Sequence, residues 1–64
     1  MTKYTVEFKT DDGKTVYPKV ISVKCMEFQI LEFTENKQEA QYWNEYDCAD
    51  YFAMEFEKAK VVEI

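Results

Sequence analysis

Sixty-four residues with a net charge of −5 make a single domain, residues 1–64. Aromatics form 17% of the chain against one Gly and one Pro, a composition that argues for a packed interior and against disorder. There is no His, and no apolar run approaches the roughly 20 residues of a membrane helix, which excludes His-based catalysis and argues against a membrane span.

Residues 3–10, KYTVEFKT, alternate strictly, with Tyr4, Val6 and Phe8 on one face. This predicts a half-buried strand. Asp12-Gly13 between two β-prone runs predicts a two-residue hairpin loop, because such turns need positive φ at both central residues. That register pairs Phe8 with Tyr17 and places Tyr17, Ile21 and Val23 on the core face. Lys19 breaks the pattern directly after Pro18, so an edge position or a bulge is expected there, one that would turn Val16 and Val20 inward. Residues 26–33, MEFQILEF, predict a third strand. Met26, Phe28 and Ile30 share a face, Leu31 and Phe33 continue on the other, and the slip predicts an end or bulge near Ile30.

Asn36 with Glu39 three residues on has capping-box spacing, and Ala40 and Trp43 at i and i+3 face inward. These predict a short helix at Lys37–Asn44. Extending its face one more turn lands on Asp47, which instead reads as the N-cap of a second helix with Asp50 at N3. Ala49, Phe52, Ala53 and Phe56 then follow i, i+3, i+4, i+7, an amphipathic core face. Lys58 and Lys60 suit a helix C-terminus. Val61-Val62-Glu63-Ile64 predicts a last strand placed inside the sheet. The expected class is α+β: a small, mainly antiparallel sheet with two short helices on one face, in the order β-β-β-α-α-β.

From Phe33 onward the chain resembles small uncharacterised bacteriophage and prophage proteins. The resemblance rests on Phe33-Thr34, Glu39-Ala40 with Trp43, Ala49 and Ala53, and Ala59-Lys60-Val61-Val62. It covers roughly half the chain. Such chains carry Gly where the second helix meets the last strand; here Glu57-Lys58-Ala59-Lys60 stands instead. The resemblance implies a virus-encoded accessory role or one directed at a host protein. It transfers no site residues.

Chemistry is sparse. Cys25 and Cys48 lie 23 positions apart and form neither a disulfide framework nor a CxxC motif. The first residues lack the basic and apolar regions of a secretory signal. Both thiols are therefore expected free, in a soluble cytoplasmic protein (the host cytoplasm if phage-encoded). Gly13 stands alone, so no phosphate loop is present, and Asp11-Asp12-Gly13 lacks the spacing of a calcium loop. Asp47 and Asp50 read as caps before they read as an acid/base pair. No enzyme activity, cofactor or metal is expected.

Charge is uneven along the chain. Residues 1–24 hold five Lys against Glu7, Asp11 and Asp12, a balance of +2; residues 25–64 hold three Lys against ten acids, a balance of −7. The acidic half disfavours nucleic acid and favours a basic protein partner, or serves solubility alone. Tyr51 and Met54 fall opposite the core face of the second helix, and Tyr42 and Tyr46 have no core role. With Asp47, Asp50 and Glu55 around them, they are the candidate protein-interaction residues. The function expected is non-enzymatic binding and modulation of a protein partner, such as inhibition of a host or defence protein. The alternatives are a homodimer that buries Tyr51 and Met54, and single-strand nucleic-acid binding by the lysine-rich hairpin with Tyr4, Phe8 and Tyr17.

Overall fold

The computed structural model describes residues 2–64. Three strands come first: β1 (Tyr4–Lys9), β2 (Thr15–Lys24) and β3 (Glu27–Thr34). A 3₁₀ turn at Lys37–Glu39, helix α1 (Tyr46–Ala53) and β4 (Lys60–Glu63) follow. The strands form one antiparallel sheet in the order β3-β2-β1-β4. The expected two-helix architecture is thus corrected. Among the described residues there is one α-helix, and β4 lies at an edge instead of inside the sheet. The order is β-β-β, 3₁₀ turn, α, β.

The first hairpin departs from its expected register. Phe8 pairs with Val16 and Lys9 with Thr15, which leaves a three-residue loop, Asp11–Gly13. Gly13 donates its N–H to the Thr10 carbonyl at 3.0 Å and takes φ 87°, closing the loop with a left-handed residue. The Thr10 hydroxyl bonds the Asp12 carboxylate and holds it below the usual carboxylate range. The one-residue shift turns Val16 to the side of Phe8 and Tyr17 to the opposite face.

Continuing this register would bring Pro18 opposite Val6 at a hydrogen-bonded position. Proline has no N–H to give, and β1 and β2 separate there. The gap is filled by the segment that the sequence assigns to a first helix. Gln41 donates its N–H to the Pro18 carbonyl at 2.8 Å, and its side-chain amide reaches the Lys19 carbonyl at 3.2 Å. Trp43 and Tyr4 exchange both backbone bonds at 2.8 Å. The Thr5 hydroxyl, fully buried, donates to the Gln41 carbonyl at 2.7 Å. These bonds require extended backbone, and Ala40 already has φ −74°, ψ 156°. The expected helix at Lys37–Asn44 is therefore cut to one 3₁₀ turn, capped by the Asn36 side chain, followed by an extended wedge. Thr5→Val keeps the shape and removes the donor; it is expected to lower stability by about 1 kcal/mol, read as a lower urea midpoint. An unchanged midpoint would show that this bond does not hold the wedge.

β2 and β3 also slip against each other. Pro18 pairs with Phe33, Val20 with Glu32 and Ile21 with Ile30, so Lys19 and Leu31 are each an extra residue, on opposite strands. The two interruptions of alternation are thus one structural event, a pair of facing bulges. They return Ile21 and Ile30 to the core side while keeping Phe33 beside Phe8, ring centroids 5.6 Å apart. Lys19 and Glu32 pair across the bulge at 3.8 Å.

One sheet face carries α1. Ala49, Phe52 and Ala53 are its buried residues, and with Val6 they form the core. The two alanines let the helix approach the strands, and Phe52 fills the space between them. Its ring lies 4.9 Å from Trp43 and 5.1 Å from both Phe28 and Phe56. Helix α1 ends at Ala53, and Lys58 takes φ 65° on the way to β4, so neither Lys58 nor Lys60 lies at a helix end.

Candidate functional site

Helix α1 has no side-chain cap. Glu45 is the N-cap residue and makes no capping bond; Asp47 sits in the first turn, where its charge meets the positive end of the helix dipole. The expected capping role of Asp47 is corrected accordingly. At 3.6 residues per turn, Asp47, Tyr51 and Met54 share the face opposite Ala49, Phe52 and Ala53, and Asp50 lies on the flank beside Ala53. Tyr51 is 61% exposed and Met54 77%. Glu55 is exposed just beyond the helix, and Asp50 is half-buried.

Tyr46 flanks this face. Its ring meets Tyr4 edge-on at 5.7 Å, which fixes it at the N-terminal end of α1 while leaving it half-exposed. Tyr42 is separate. It lies in the extended wedge, where successive side chains point to opposite sides. Trp43 turns towards Phe52, so Tyr42 points the other way, and the Lys3 ammonium covers its ring at 4.4 Å. The structure therefore brings together Tyr46, Asp47, Asp50, Tyr51, Met54 and Glu55, and leaves Tyr42 on the far side.

Two further features of the same surface escaped the sequence. Phe28 of β3 meets Tyr51 edge-on, ring centroids 6.1 Å apart, and Val23, its cross-strand partner, is 64% exposed. The alternation that assigns Val23 to the core is correct about its side of the sheet; α1 does not reach far enough to cover it. Beyond Val23 the chain turns through Cys25 and Met26, with φ 53° and 65°. Positive φ at both central residues of a two-residue loop is a type I′ geometry, here without Gly or Asn. The Met26 side chain is 89% exposed at the tip.

Cys25 and Cys48 are free and exposed. Among the described residues no group of three His, Cys, Asp or Glu side chains is placed to hold a metal ion, and no helix is long and apolar enough to cross a membrane. What the α1 surface offers is contact area: flexible Met and rigid Tyr side chains among carboxylates.

No protein-family model matches the chain, and comparison with curated proteins and with solved structures returns no match.

Proposed function

We propose that the chain is a small acidic, non-enzymatic accessory protein, of the phage-encoded kind its sequence resembles, that binds and modulates a protein partner through the outward face of α1. One observation carries the reading: Tyr51 on α1 and Met54 at its C-cap stand exposed with Asp47, Asp50 and Glu55 around them. Aromatic and Met anchors inside a polar rim are what protein interfaces use. The carboxylates favour a partner with a basic surface and would speed its capture.

The alternatives fare less well. A symmetric dimer across this face would set Asp47, Asp50 and Glu55 of one copy against those of the other. Single-strand binding by the hairpin needs free aromatic faces. Tyr17 is buried, and Phe8 packs between Phe33 and Phe56.

Affinity capture from a bacterial lysate tests the proposal, comparing the wild-type chain with Tyr51→Ala/Met54→Ala. Both side chains are exposed, so the variant is expected to fold, which circular dichroism checks. A partner held by the wild type is expected to be lost or weakened at least tenfold, since truncating an anchor removes more than about 1.4 kcal/mol. An identical set of captured proteins would remove α1 from the argument.

A further inference from the structure

We propose that the binding surface continues from α1 onto the outer half of the β2–β3 hairpin, and that it takes a basic segment of another protein bearing one bulky apolar residue. The proposal rests on the reading of α1 as a protein-binding face and specifies what that face recognises.

The geometry supplies the continuity. Val23 and Phe28 are a cross-strand pair, so their side chains stand on one side of the hairpin. Phe28 touches Tyr51, and Met54 follows Tyr51 at i+3 on the helix. Val23, Phe28, Tyr51 and Met54 therefore form one strip that crosses from strand to helix, with Met26 at its hairpin end.

Charge selects the occupant. Asp47, Asp50 and Glu55 flank the strip where it runs along α1. A second copy would bring carboxylates together, and an acidic partner would do the same. A segment with Lys or Arg on either side of an apolar anchor satisfies both the rim and the strip. The type I′ tip leaves Met26 exposed at the end of the strip, where an apolar residue of the segment would meet it.

The test is an NMR titration of the isotope-labelled full chain with three synthetic peptides. The first is a Lys-rich amphipathic peptide with one central Trp, the second replaces that Trp by Ala, and the third replaces Lys by Glu. The expected result is saturable shifts at Val23, Met26, Phe28, Tyr51 and Met54 with the first peptide. Affinity should fall about tenfold with the second and vanish with the third. In the chain, Val23→Thr/Met26→Ser should weaken the first peptide about tenfold while leaving the rest of the spectrum in place. Saturable shifts confined to residues 46–55, and unaffected by this double variant, would overturn the extension while leaving the α1 reading standing. No saturable shift on α1 or the hairpin at millimolar peptide would overturn both. Shifts that grow with protein concentration alone would assign the strip to a second copy and overturn the basic-segment proposal.

Discussion

Phe52→Ala is expected to leave much of the protein unfolded at 25 °C. Phe52 is the largest fully buried side chain, and its ring meets Trp43, Phe28 and Phe56 at once. Truncating a buried Phe to Ala removes about 3–5 kcal/mol, the lost transfer energy together with the cavity left behind. A domain of this length holds roughly 3–10 kcal/mol in total. The residues around the void come from the wedge, from β3 and from the turn after α1, so no single element can close it. Near-ultraviolet circular dichroism and a urea titration read the result, with Phe52→Leu as a milder companion expected to stay folded. An alanine variant within about 1 kcal/mol of the wild type would mean that the core is centred elsewhere.

Cys25→Asn/Met26→Gly is expected to act in the opposite direction. Both positions hold left-handed backbone, which costs an ordinary side chain roughly 1–2 kcal/mol and suits Asn and Gly. The double substitution should stabilise by about 1–2 kcal/mol, and each kcal/mol moves Tm by about 4–8 °C in a domain of this size. If the tip also presents Met26 to a partner, the same variant should bind the Trp peptide more weakly. A gain in stability with a loss of binding would tie the strain to function. No rise in Tm would show that the turn is held by its own side-chain contacts.

The strands and the core face of α1 are legible in the sequence because both depend on local periodicity. Tyr4, Val6 and Phe8 alternate, and Ala49, Phe52 and Ala53 follow a helical repeat; no distant information is needed. The breaks in alternation at Lys19 and Leu31 are also visible, but their meeting across one ladder is a property of two strands. The wedge is invisible for a deeper reason. Asn36, Glu39, Ala40 and Trp43 all favour a helix locally, while the hydrogen-bonding vacancy that extends them is made by Pro18, far back in the chain. The hairpin register is lost for a similar reason: Asp11-Asp12-Gly13 allows Gly13 to end a three-residue loop as readily as it allows a two-residue one. On the candidate site, Asp47, Asp50, Tyr51 and Met54 follow from helical spacing. Tyr42 has no core role in the sequence pattern, but the extended wedge carries it to the other side. Val23 and Met26 belong to the surface because α1 ends short of them, which periodicity does not encode.

The Gln41–Trp43 wedge also bears on how the fold opens. The sheet is two ribbons, β3 with β2 and β1 with β4, joined by a short hairpin ladder at one end and by the wedge at the other. The amide protons of Tyr4, Gln41 and Trp43 all sit in that second joint. In hydrogen exchange they should behave as one cooperative unit, opening together at a lower free energy than the ladders on either side. Each such opening would free the two ribbons to twist independently while each ribbon stays intact.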